Sequence, residues 1–166
     1  MSNLDFPLDQ PSNHPSIPKL GLIYAAVLLG LLVLVSVVQW IAETFFHLSD
    51  VANSVGVLVP FLAAMQTGSI YFKKTGLRPS GSFCWKAAAI FSLISSAFTA
   101  LLMELVLVNG LMPELDGYKT DPNAITIILG IHAAIFVLWL LLARLGFGWG
   151  LRQGERLKEA RGRKGA

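Results

Sequence analysis

Lys73-Lys74-Thr75-Gly76-Leu77-Arg78-Pro79-Ser80-Gly81-Ser82-Phe83-Cys84-Trp85-Lys86 divides the chain. It is a basic, turn-rich interruption in an otherwise apolar sequence. Gly76, Pro79 and Gly81 are helix breakers, so the stretch reads as a loop between two apolar segments. The four cations Lys73, Lys74, Arg78 and Lys86 decide on which side of a membrane that loop stays.

The apolar flanks are long. Of 166 residues, 54% are hydrophobic and 14% charged, and the mean hydropathy is +0.63. A soluble domain carries about 25% charged residues, so this chain lacks the polar surface to cover a soluble globule. About 20 apolar residues cross the hydrocarbon core as a helix. Four segments qualify: 20–42, 51–72, 87–108 and 124–143. No ten-residue alternation suggests a β-barrel. The fold expected is therefore all-α, an integral membrane bundle of four transmembrane helices over residues 20–144.

Before the first span, residues 1–19 hold Pro7, Pro11, Pro15 and Pro18 and little apolar surface. Such a segment reads as a disordered tail. It makes a poor signal-peptide start, and an uncleaved first helix is expected. Ser49, Asp50, Asn53 and Ser54 offer capping oxygens to the second span, and Pro60 inside that span predicts a kink. After the fourth span, Arg144 opens a basic tail at 145–166 with Arg152, Arg156, Lys158, Arg161, Arg163 and Lys164. Gly146-Phe147-Gly148-Trp149-Gly150 reads as an interfacial turn rather than a phosphate loop.

Charge sets the orientation. Twelve of the thirteen Lys and Arg fall before span one, between spans two and three, or after span four. Lys119 alone lies opposite, beside Glu43, Asp50, Glu114, Asp116 and Asp121. The positive-inside rule then puts the N-terminus and the C-terminus in the cytoplasm. With pI ≈ 9.2 the tail is basic enough for nucleic acid, but it has no aromatic interleaving and no recognition fold, so no nucleic-acid partner is expected. The lone Cys84 forms no internal disulfide and has no histidine nearby in sequence to act with it.

Candidate functional residues are sparse. Ala88, Ser92, Ser96 and Ala100 recur every fourth residue, a small-xxx-small packing stripe that Ser95 and Thr99 widen. Gly130 and Ala134 make a second close-approach pair. Glu104 and His132 are ionisable groups inside spans, about 6 and 12 Å below the outer surface by helical rise. They form a possible intramembrane polar pair. Glu43 and His47 add an i, i+4 pair nearby. Together the four can bind a divalent ion or relay a proton, or else the acids reach the interface and His132 bonds a neighbouring hydroxyl. Their spacing matches no metal motif, so no metal and no cofactor are expected. Gln66, Thr67 and Ser69 can line a polar cavity or make interhelical hydrogen bonds. No nucleophile motif occurs, and the protein is not expected to be an enzyme.

From Phe61-Leu62-Ala63-Ala64 through Tyr71-Phe72-Lys73-Lys74-Thr75-Gly76-Leu77-Arg78-Pro79 to Trp85-Lys86, the chain resembles an uncharacterised bacterial family. Its members are small four-span inner-membrane proteins known only by a locus-tag name of the ABZJ type. They share small residues in the second helix, an aromatic, a basic turn with Arg-x-Pro, and a Trp or Lys entering the third helix. The resemblance implies four spans and a bacterial inner membrane. It implies no activity, and no functional residue is carried over. The stripe and the absent catalytic motif together lead to a non-enzymatic accessory or assembly subunit of a larger inner-membrane complex. Its partners are then the lipid bilayer and other membrane protein subunits, or a second copy. The alternative is a small homo-oligomeric transporter or channel titrated through Glu104 and His132.

Overall fold

The computed structural model describes residues 15–47, 58–109 and 122–164. Four helices occupy them, and no strand occurs among the described residues: α1 is Ile17–Phe46, α2 Leu58–Thr75, α3 Gly81–Val108 and α4 Pro122–Lys164. Three stretches are long and apolar enough to cross a membrane: Ile17–Phe46, Gly81–Leu105 and Leu129–Ala160. The second of the four expected spans begins at 51–57, outside the described residues. Its described part, α2, has 18 residues and ends on Lys73 and Lys74. The capping residues Ser49 to Ser54, most of the Pro-rich tail and the loop with Glu114 to Asp121 also lie outside them.

Local chemistry sets the helix ends. Pro18 sits in the first turn of α1, where a missing N–H costs nothing, so the helix starts at Ile17 rather than after Lys19. Pro60 likewise falls in the first turn of the described part of α2, so the expected mid-span kink is not part of the described structure. Gly76 ends α2 with φ +67, and its N–H bonds the Phe72 carbonyl at 2.8 Å. Ser80 starts α3, its hydroxyl accepting the Phe83 N–H at 3.2 Å. Only residues 76–80 are non-helical between α2 and α3. Of the four cations of the expected loop, Lys73, Lys74 and Lys86 therefore stand on helices, and Arg78 alone lies in the connection.

A larger difference concerns α4. The interfacial turn expected at Gly146–Gly150 is replaced by helix: one unbroken helix of 43 residues runs through it and on into the basic residues after 145. At 1.5 Å per residue it is about 65 Å long, twice the hydrocarbon thickness, so much of it must project beyond the bilayer. The glycines are the reason it continues. Gly146, Gly150 and Gly154 lie four apart on one face, and that face is packed on α2. A Cβ at Gly146 would sit 2.6 Å from the Phe61 carbonyl oxygen. One at Gly150 would overlap the Met65 carbonyl, and one at Gly154 would be 3.0 Å from the Phe72 Cβ. From α2, Gly68 returns the contact against the Phe147 carbonyl and the Leu151 nitrogen. The two helices run parallel with their backbones touching, as small-residue seams in membranes do.

The other helices follow. Tyr71 of α2 meets Phe83 of α3 at 5.6 Å, and Ser92 of α3 donates to the Phe136 carbonyl of α4, so α3 runs against both. Near the start of α1, Gly21 lies against Ile90 and Ile94 of α3. Further along, Trp40 and Leu102 line one groove, so α1 runs with α3. Direction thus alternates along the chain. The core lies at one end: beyond Leu28 of α1, beyond Ser95 of α3 and before Ala143 of α4, no described residue is buried. In water such exposed apolar helices would aggregate; lipid chains cover them at no cost.

The seam makes a direct prediction. Gly150→Ala must push α2 and α4 apart and should cost about 1–3 kcal/mol or more, the usual range for overpacking. Gly130, with nothing within 4 Å of a Cβ, should accept alanine without loss. Denaturant titration of both variants in detergent micelles checks this, and equal stabilities would refute the seam.

Candidate functional site

The buried end is organised by aromatics. Tyr24 of α1 stacks on Phe91 of α3, with centroids 4.3 Å apart and planes 9° apart. Phe147 of α4 stands edge-on to both Phe91 and Tyr71, at 5.7 and 5.9 Å. Phe147 therefore ties α4 to α3 and α2 in one contact. Tyr24 and Ser95 share a hydrogen bond of 2.6 Å, and the Tyr24 hydroxyl reaches the Pro60 carbonyl at 3.5 Å. All of it is satisfied when Ser95 donates to Tyr24 and Tyr24 donates to Pro60.

The packing stripe divides between the interior and the surface. Ala88 and Ser92 are fully buried, and Ser92 bonds α4 at 2.9 Å. Ser96 is half-buried and Ala100 exposed. Of the four stripe residues, Ser92 is thus engaged by the chain's own α4. Gly130 and Ala134, the second expected close-approach pair, are both exposed, and a Cβ at Gly130 would meet nothing within 4 Å. Thr67 and Ser69 are buried while Gln66 is exposed. The Thr67 hydroxyl bonds the Ala63 carbonyl of its own helix at 2.8 Å, so it neither lines a cavity nor crosses to a neighbour.

Glu104 and His132 both lie on exposed faces, so the polar pair the sequence allows is not part of the buried core. Glu43 accepts from the Gln39 amide at 2.7 Å, one turn before it. His47 ends α1 in a left-handed conformation with φ 54. Among the described residues, no group of three or more His, Cys, Asp and Glu is placed to hold a metal.

Two surface features remain as sites. A groove of about 420 Å³ runs between α1 and α3 in the loosely packed half, lined by Leu29, Val33, Ser36, Val37, Trp40 and Leu102. At the opposite end the cations gather. Lys19 opens α1, Lys73 and Lys74 close α2, Lys86 lies near the start of α3, and Arg152, Arg156 and Lys158 follow along α4. Arg78 pairs with Glu155. Arg144 stacks over the Trp85 ring, 5.6 Å from its centroid, where the ring face attracts a cation. Two small cavities open here, one beside Lys73, Gly76 and Lys158, the other beside Trp149, Arg152 and Arg156. The sequence did carry a signal for the seam that builds this end, the i, i+4, i+8 glycines, but the interleaved Phe147 and Trp149 made it look like a turn.

No protein-family model, characterised protein or solved structure matches the chain.

The Tyr24–Ser95 bond can be weighed. Tyr24→Phe and Ser95→Ala should each cost about 0.6–1.7 kcal/mol, the range of interhelical bonds in membranes, and the double variant little more than either alone. A double variant whose cost equals the sum would show that the two hydroxyls do not work as a pair.

Proposed function

We propose that this chain is a non-enzymatic four-span protein of a bacterial inner membrane, with both termini in the cytoplasm. It serves there as an accessory or assembly subunit of a larger membrane complex. The observation that carries the subunit role is the groove between α1 and α3. Nothing in the chain fills it among the described residues, and it sets the Ser36 hydroxyl among large apolar side chains. A polar group on an apolar transmembrane face gains most from another helix, which can hydrogen-bond where lipid cannot. Ala88 and Ser92 of the small-residue stripe are buried inside the chain, Ser92 against α4, so the partner-facing surface is this groove rather than those two residues.

Orientation draws on the alternation of helix direction, which brings Lys19, Lys73, Lys74, Lys86 and Arg152 to one end. Basic residues flanking short connections are retained in the cytoplasm. The bacterial inner membrane rests on the resemblance carried by Phe61 to Lys86.

Purification in a mild detergent through a C-terminal tag, followed by native mass measurement, tests the role. A foreign membrane protein should co-elute in fixed ratio, and Val37→Trp or Leu102→Trp should release it without lowering the chain's own melting midpoint. A pure homo-oligomer whose proton-dependent flux disappears in Glu104→Gln would overturn the subunit role in favour of transport.

A further inference from the structure

The second cavity at the basic end, about 380 Å³, lies between α2 and α4 and is lined by Met65, Trp149, Arg152, Gln153 and Arg156. Residues 149, 152, 153 and 156 of α4 share one helix face, at i, i+3, i+4 and i+7. Trp149 is 62% exposed, and its ring meets Phe61 edge-on at 6.0 Å. Trp prefers the boundary between hydrocarbon and headgroups. Helical rise places Arg152 about 4.5 Å and Arg156 about 10.5 Å further out. The headgroup layer is roughly 5–8 Å deep on each side. Arg152 thus stands at phosphate depth. Side chains lean toward a helix N-terminus, so the Arg156 side chain leans back toward the same layer.

Among the described residues neither arginine makes an ion pair, and Glu159 is the nearest carboxylate on their face, one turn beyond Arg156. Glu155, the carboxylate adjoining Arg156, is taken by Arg78 from the α2–α3 connection. Both arginines are exposed, and the cavity between them and Met65 has an apolar wall below and a polar amide, Gln153, beside it. A guanidinium binds phosphate through two parallel hydrogen bonds. From this geometry we infer that the cavity is a binding site for the phosphodiester headgroup of an anionic phospholipid. Arg152 and Arg156 hold the phosphate, Gln153 bonds the glycerol part, and an acyl chain descends along Trp149 and Phe61.

Nanodiscs of equimolar phosphatidylglycerol and phosphatidylcholine, holding the full chain, supply the test. After detergent release, native mass spectrometry reads the retained lipid. The chain should keep phosphatidylglycerol in preference to phosphatidylcholine. Arg152→Gln with Arg156→Gln should reduce that retention at least about tenfold, the loss of one charge-assisted hydrogen bond to phosphate. Lys73→Gln with Lys74→Gln removes the same charge from the neighbouring helix and should leave the retention largely unchanged. Size-exclusion elution of all variants checks that they fold. Equal losses in the two pairs would mean a diffuse field rather than a site, and would overturn the inference. So would equal retention of the two lipids. Displacement by millimolar glycerol phosphate would reassign the cavity to a soluble phosphate and overturn the lipid assignment.

Discussion

The backbone contact between α2 and α4 governs everything else. Helices in lipid gain no hydrophobic free energy by leaving lipid for one another, so close packing and hydrogen bonds must hold them. Here the packing is as close as a backbone allows: the carbonyls of Phe61 and Met65 lie where side chains at Gly146 and Gly150 would begin. Only hydrogen atoms fit, in the arrangement where Cα–H groups donate weakly to carbonyls. That contact fixes both direction and register. It delivers Phe147 to the point where Tyr71 and Phe91 meet it, and Phe91 in turn carries Tyr24. A slip of one residue along α4 would replace glycine by Phe147 or Leu151 against α2, so the contact rejects that shift.

Polar satisfaction divides the molecule the same way. In the packed end, Thr67, Ser92 and Ser95 all have partners. Among the described residues, three buried side-chain atoms lack one: Ser96 Oγ, Trp139 Nε1 and Arg144 Nε. An unpaired buried donor or acceptor costs about 1–3 kcal/mol. Arg144 is offset by the Trp85 ring. Ser96 and Trp139 lie just beyond the packed core, where α3 passes Ser95 and α4 has not reached Ala143. The half that carries the groove therefore also holds two of these unpaired atoms, Ser96 Oγ and Trp139 Nε1.

Much of the architecture is legible in composition. Charge-free runs such as 20–42 admit only a helix in lipid, and the helices at Ile17–Phe46 and Gly81–Leu105 follow from that alone. The boundaries were harder. Lys73, Lys74 and Lys86 looked like loop because charge ends a membrane span, yet charge does not end a helix, and capping by Gly76 and Ser80 does. Gly146 to Gly150 misled for a similar reason. Glycine weakens an isolated helix by about 1 kcal/mol each, and only the partner across the seam reverses that preference. Partners are tertiary facts, so no local rule finds them. The same holds for Ser92, whose spacing announced a packing face but could not say that the occupant is Phe136 of the same chain.

Continuity of α4 changes what its charges can do. On a loose tail, Arg152, Arg156 and Lys158 would form a mobile cloud acting only through net charge. On a helix held by Gly150 and Gly154, each cation has a fixed height and bearing. The exposed Arg78–Glu155 pair adds little stability, about 0–1 kcal/mol, because both partners are partly solvated. Its effect is selective: it removes one carboxylate from the basic face and joins the α2–α3 connection to α4. The basic residues near Met65 and Trp149 thus owe their placement to the glycine seam rather than to one another. The end of the molecule where its cations gather is the end where its helices pack most closely. Loosening the seam would disturb both at once.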